Sequence, residues 1–241
     1  MFKNPHQETG QLEPNLAIEN YFNLEDFPFM KLFDDVERCF EVLGTPLKRF
    51  CNDFNGRIIE GKVMEGAILE GDGIFIGKGA VVEPTAYIKG PAIIGENTEI
   101  RHGAYLRGNV VTGSNCVIGH ATEVKNSIFL NGAKAGHFAY VGDSVLGSMV
   151  NLGAGTKLAN LKIVIGDVIL RVDGVKIPSG YRKLGAILGD GCELGCNAVT
   201  SPGTILAPGS MVYPAVGIRG AYTQKRIFRE SNMLRNTGQP S

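Results

Sequence analysis

The chain has 241 residues, enough for a sizeable core, and its 24 basic side chains balance 24 acidic ones. No overall field favours nucleic acid or a membrane surface, so an anionic ligand has to be held by local basic groups. Thirty-three glycines and no tryptophan indicate a many-turned chain, while five cysteines without paired C-x-x-C units fit a reduced, cytosolic protein.

The first thirty residues lack the apolar run of a signal peptide. No stretch reaches the roughly eighteen apolar residues of a membrane span. Residues 1–23 read as a polar arm. From Leu24 on, Phe29, Leu32, Phe33, Val36, Phe40 and Leu43 recur at helical steps, and Gly44 is expected to end that helix. Thr45-Pro46 then reads as an N-cap and first helical position of a second, short helix carrying Leu47, Phe50, Cys51 and Phe54. Residues 1–56 are therefore expected to form an arm and a helical cap.

From Arg57 the period is six. Ile76, Val82, Ile88, Ile94, Ile100, Leu106, Thr112, Ile118, Val124 and Leu130 form the track expected to point inward. Mostly small residues stand four positions later, from Ala80 through Cys116 and Thr122 to Ile128. A hexapeptide repeat this long predicts an all-β fold, a parallel β-helix with three short strands per coil. Residues eighteen apart then lie above one another, one strand spacing of about 4.8 Å away.

After Leu130 the spacing slips, with Ala135, Val141, Leu146 and Leu152 as inward positions. Residues 159–185 leave the repeat, and "ILRVDGVKI" within them predicts a β-hairpin turning at Asp173-Gly174. The helix resumes at Leu188 and is bounded as residues 57–219. Residues 220–241 read as a tail that is mobile or packs on a neighbour. Cys192 and Cys196 read as two buried small hydrophobes rather than a metal or redox pair.

The repeat is only a scaffold, so function has to come from residues that break it. Arg107, Lys125, Lys134, His137, Tyr140, Asn151, Lys157 and Asn160 do so. Arg107 and Lys125, eighteen apart, stack and can converge on one anion, or form a solvated ladder. Lys134 and Lys157 read as surface charges. His137 is either a solvated turn residue or a base. His102 and His120 are also eighteen apart and stack; with His137 seventeen further on and no close pair, they do not match a three-histidine zinc site.

"EVKNSIFLNGAKAGHFAYVGDSVLGSMVNLGAGTKLANLK", from Glu123 to Lys162, resembles the acetyltransferase domain of bifunctional UDP-N-acetylglucosamine synthesis enzymes, which acetylate glucosamine-1-phosphate with acetyl-CoA. The excursion ending "GYRKLGAILGD" is more similar to archaeal, sugar-nucleotidyltransferase-linked relatives. The resemblance implies a left-handed helix, a homotrimer with sites between subunits, acetyl-CoA as co-substrate and no metal.

It also implies His137 as catalytic base, Arg107 and Lys125 as sugar-phosphate ligands, Tyr140 and Asn151 as sugar-site residues, and Asn160 as a further residue of the pocket. Ala154 matches a backbone contact to acetyl-CoA, and Cys196 falls where the family has serine. Arg182 and Lys183, where the excursion rejoins the helix, are candidates for phosphate or CoA, and Lys183 is placed with the cofactor ligands. The family's asparagine-tyrosine pair is Asn160-Leu161 here.

A neutral imidazole suits removal of a proton from a sugar ammonium near neutral pH. The glycine-rich "GxGTRM"-like loop of the nucleotidyltransferase is absent, so a separate enzyme of that kind is expected in the same pathway. The alternatives are an acyltransferase for another amino sugar, or a non-catalytic sugar-phosphate-binding scaffold. No nucleic acid or membrane partner is expected.

Overall fold

Isoleucine, valine and leucine at every sixth position suit short strands, because β-branched side chains pack well on a pleated surface. In a computed structural model, described here for residues 14–232, they build a three-faced parallel β-helix. The first face has eight strands, from Arg57–Ile59 to Thr204–Leu206. The second has nine, from Lys62–Val63 to Ile227–Phe228, and the third eight, from Ile68–Glu70 to Gly217–Ile218.

The stacking offset is eighteen residues where Val82 lies opposite Ile100, seventeen from Thr112 opposite Phe129 to Tyr140 opposite Lys157, and eighteen again after the excursion, where Ala186 lies opposite Thr204. The predicted aliphatic track fills the interior as far as Val124. There the expectation needs one correction. Phe129, not Leu130, turns inward, while Ile128 and Leu130 pack outside the coil. A five-residue step at this point swaps faces because side-chain direction alternates along a strand.

Outside the first face lies a second core. Ile93, Val111, Ile128, Val145 and Ile187 project outward from it and are covered by the N-terminal cap and by the excursion. The cap is less helical than its apolar spacing suggests. The stretch from Phe29 to Leu43 is a series of turns with two 3-10 segments, Met30–Phe33 and Glu41–Leu43. Asp35 adopts a φ of 61°, which interrupts any continuous right-handed helix. Burial of Leu32, Phe33, Phe40 and Leu43 explains the helix-like pattern without a helix.

The α-helix Thr45–Asn52 forms as expected, but Gly44 occupies the N-cap position and Thr45 already lies inside. Leu16, Tyr21 and Phe22 are buried, so residues 14–23 belong to the cap core rather than to a polar arm. Residues 1–13 and 233–241 of the expected arm and tail lie outside the described residues. At the other end, Ile227–Phe228 continues the second face by pairing with Met211–Val212, with Phe228 buried. Cys192 is buried as expected, but Cys196 is exposed.

Asp190 pins the cap to the helix. Its carboxylate accepts the N–H of Asn23 in the cap and of Ser148 in the coil below, both at 2.7 Å. Asp190→Ala leaves both donors without this acceptor and is expected to lower stability by about 1–3 kcal/mol, measurable by urea denaturation. Burial raises the carboxyl pKa above its ordinary 3.8, so the folded protein binds this proton more tightly than the unfolded chain. That contribution is fully present below the unfolded value and is lost as pH rises through the folded one. The stability gap between wild type and Asp190→Ala is therefore expected to narrow with rising pH across that window.

The excursion leaves after Leu158 and returns before Ala186, yet the coils on either side stack directly, with Val145 opposite Ile187. Its neck is closed by the Leu184 N–H donating to the Asn160 carbonyl at 2.9 Å. The predicted hairpin is Ile169–Val172 paired with Val175–Pro178. Leu170 and Val172 alternate inward and Ile169 and Arg171 outward. Gly203 permits this docking: its φ is +77°, and a β-carbon there would crowd Leu170 at 3.0 Å.

Candidate active site

The predicted site residues fall on two edges of the third face. Along the edge joining the second and third faces, the coils stack a row of turns that carries His102, His120, His137, Ala154 and Cys196. Backbone bonds link successive turns: Phe138 N–H to His120 carbonyl (2.9 Å), Gly155 to His137 (3.0 Å), and Asn197 to Ala154 (2.8 Å). Strands Val117–His120 and Lys134–His137 place His120 opposite His137 in register. A side chain at Gly119 would collide with the Gly136 carbonyl, so this close stacking demands glycine there.

The rings of His102 and His120 stack at 4.1 Å, as their spacing predicts. Phe138 lies edge-on to His120 at 5.1 Å and is exposed, with a φ of 51° that is unusual for a bulky residue. The imidazole of His137 is exposed. Among the described residues no three His, Cys, Asp or Glu side chains gather as metal ligands do. Ala154 is half-buried, and its N–H makes no backbone hydrogen bond among the described residues.

Arg107, Lys125, Tyr140 and Asn160 gather on the third face, toward its edge with the first. The register Glu123–Tyr105 and Val124–Leu106 brings Lys125 over Arg107, as the eighteen-residue spacing predicts. Each cation is already paired, however. Arg107 Nη1 meets Glu123 Oε1 at 2.6 Å, and Lys125 Nζ meets Asp143 Oδ2 at 3.2 Å. Asn160 and Asn126 donate to the same Asp143 carboxylate.

Asn126 also donates to the Leu43 carbonyl at 3.2 Å, which ties the cap to this cluster. The hydrogen bond that Arg107 donates to Glu123 raises the Arg107 pKa, keeping the guanidinium charged. Burial, with the Glu123 charge, pushes the Tyr140 phenol up, so it remains a hydrogen-bond donor at neutral pH. The Arg107–Glu123 pair is exposed and contributes little to stability, so an incoming phosphate can displace it at small cost.

The other expectations divide. Asn151 lies on the outer surface of the second face, donating to Glu193 at 3.1 Å, apart from the third-face cluster. Lys183 is exposed at the excursion's neck, bridging to Leu161, and not on the edge that carries Ala154 and Cys196. Arg182 is exposed beside it, and Lys134 and Lys157 are exposed, as read from sequence. Within one chain His137 lies beside Phe138 and pairs in register with His120 at the end of a second-face strand, whereas Arg107 and Lys125 end their third-face strands. Sequence reasoning missed Glu123 and Asp143; both stood inside the quoted motif, but carboxylate partners of cations carry no periodic signal.

Fold and surfaces together define a hexapeptide-repeat β-helix with a cationic face beside a histidine-bearing edge. Residues 88–229 match the family described as the GMPPB C-terminal domain, and the chain belongs to that family. It is 44% identical over 92 residues to a bifunctional sugar-1-phosphate nucleotidylyltransferase/acetyltransferase from Sulfurisphaera tokodaii, covering 38% of this chain and 23% of that protein. It is 37% identical over 91 residues to a bifunctional protein GlmU from Methanococcus vannielii, covering 38% and 22%. The chain thus spans less than a quarter of the length of these curated relatives. Among solved structures, a UDP-N-acetylglucosamine acyltransferase from Francisella novicida aligns over 67% of this chain and 60% of that one, at 16% identity and a TM-score of 0.45.

Proposed function

We propose that the chain is an acetyl-CoA-dependent N-acetyltransferase acting on an amino-sugar phosphate, with glucosamine-1-phosphate the leading substrate. We further propose that it acts as a homotrimer whose sites are each assembled from two copies. The observation that carries this reading is the separation of the site residues: an exposed imidazole in line with Ala154 and Cys196 on one edge, and Arg107, Lys125, Tyr140 and Asn160 on the other side of the same face. One copy's cationic face set against a neighbour's histidine edge supplies both halves, together with the concavity that a flat β-helix surface lacks. The acetyltransferase named in the first relative supports the same chemistry.

In this reaction Arg107 and Lys125 hold the sugar phosphate, the first as a fork and the second as a point charge. Tyr140 donates to the sugar. His137 takes a proton from the substrate ammonium. The freed nitrogen attacks the thioester carbonyl, forming the C–N bond; its surplus proton passes to water, and the C–S bond then breaks. The imidazolium returns its proton to the departing thiolate. The Ala154 N–H is placed to donate to the CoA thioester. Lys183 and Arg182 would reach the phosphate or CoA from the excursion, with Asn151 completing the sugar side from the histidine-bearing copy. A separate nucleotidyltransferase would act on the product.

Thiol release that requires both acetyl-CoA and glucosamine-1-phosphate, with N-acetyl product seen by mass spectrometry, is the expected result. Turnover with a different amine alone would replace the substrate. Sugar-phosphate binding without any thiol release would leave only a binding scaffold. The two-copy site has its own test. His137→Ala and Lys125→Ala chains, each strongly impaired alone at sugar-phosphate concentrations below the variant KM, are expected to regain about a quarter of wild-type activity under those conditions when co-refolded at equal amounts, since one site in four then draws both intact halves. No recovery in mixed trimers would place both residues in one copy's site.

A further inference from the structure

Between the excursion and the last two coils, on the edge joining the third and first faces, lies a cavity of about 890 Å³. None of the roles assigned above uses it. The alternation of strand Ile169–Val172 builds its roof. Leu170 and Val172 plug into the body, which leaves Ile169 and Arg171 facing the cavity. The floor comes from the turn after Ile218, held to the excursion by the Ala221 N–H donating to the Arg171 carbonyl at 3.0 Å. Its mouth is lined by Ile163 and Val164, which are almost entirely exposed.

The charge of the lining is one-sided. Arg171, Arg219 and Arg226 all contribute, and none has a carboxylate partner among the described residues. Asp173, the one acidic residue in the lining, accepts from the Thr223 hydroxyl at 2.9 Å. The Arg226 guanidinium lies 4.7 Å over the Tyr222 ring, which steadies it in the lining. Three forked donors suit two linked phosphates, while the isoleucine and valine side chains suit a flat, apolar group attached to them. The volume falls in the range that holds a nucleotide-sized ligand.

We propose that this cavity is a nucleoside-diphosphate site, in which Arg171, Arg219 and Arg226 hold the diphosphate and the exposed apolar segment around Ile163 closes over the base. Two sources carry that group: the adenosine end of a CoA thioester, and a free or sugar-linked nucleotide. The CoA source rests on the acetyl-transfer reading, whereas the nucleotide source does not, and binding is measured with no amino sugar present and no turnover.

Isothermal titration of the full chain with CoA, ADP and UDP, each alone, is the test. Saturable binding of at least one is expected, weakened about 10- to 100-fold by Arg171→Ala combined with Arg219→Ala. CoA binding that ADP competes away identifies the acyl donor. UDP binding tighter than either identifies a uridine nucleotide. Both outcomes support the site.

Ile163→Glu changes a fully exposed side chain and brings a carboxylate to the mouth; a matching loss of affinity is expected even if the double variant does not fold. Absence of saturation by all three ligands up to about 1 mM would overturn the proposal. So would affinity unchanged in Ile163→Glu and in a folded double variant.

Discussion

His137→Ala is expected to lower acetyl transfer to glucosamine-1-phosphate by about 10²- to 10⁴-fold in kcat, with the sugar KM changed far less. The imidazole moves a proton during attack, whereas Arg107 and Lys125 bind the phosphate in ground state and transition state alike. Removal of either cation should therefore raise KM more than it lowers kcat. The ring is exposed at a coil turn, so its truncation leaves the core intact, and the thermal midpoint is expected to stay near wild type. Retained activity in a folded His137→Ala variant would remove the base from the mechanism. An equal loss from His120→Ala would move the role one coil along the stack.

The second large effect is structural. Phe129→Ala is expected to destabilise the protein by about 3–5 kcal/mol, seen as a lower denaturation midpoint, because this ring is fully buried inside the coil where the repeat steps by five. The neighbouring Leu130 faces the cap, so Leu130→Ala is expected to loosen cap and body without hollowing the coil. Hydrogen exchange separates the two. The first variant should weaken protection in the coil strands around Phe129. The second should weaken it mainly in the segment from Leu16 to Leu47.

Those two residues also show what the chain reveals unaided. A six-residue aliphatic track is a direct image of the coil, and it located nearly every interior position up to Val124. It could not resolve the slip at Phe129, because Ile128, Phe129 and Leu130 are all apolar and all buried, two of them beneath the cap. The cap misled for a related reason. Apolar residues at three- and four-residue steps signal one buried side, and 3-10 turns around Asp35 produce that side as well as a helix does.

At the site, the stacking of Arg107 with Lys125 and of His102 with His120 followed from spacing alone. The carboxylates that hold the cations did not, since pairing across coils depends on side-chain direction rather than period.

The closed neck between Asn160 and Leu184 has a wider consequence. Because the strands below and above it stack as if nothing intervened, the coil spacing does not depend on the intervening loop, which is held instead by Leu170 and Val172 docking on the body. Lengthening, trimming or exchanging it changes what hangs over one edge while the stacked coils keep their spacing. Diversification in such a molecule can proceed by swapping a single appendage, and ligand preference can drift without repacking the spine.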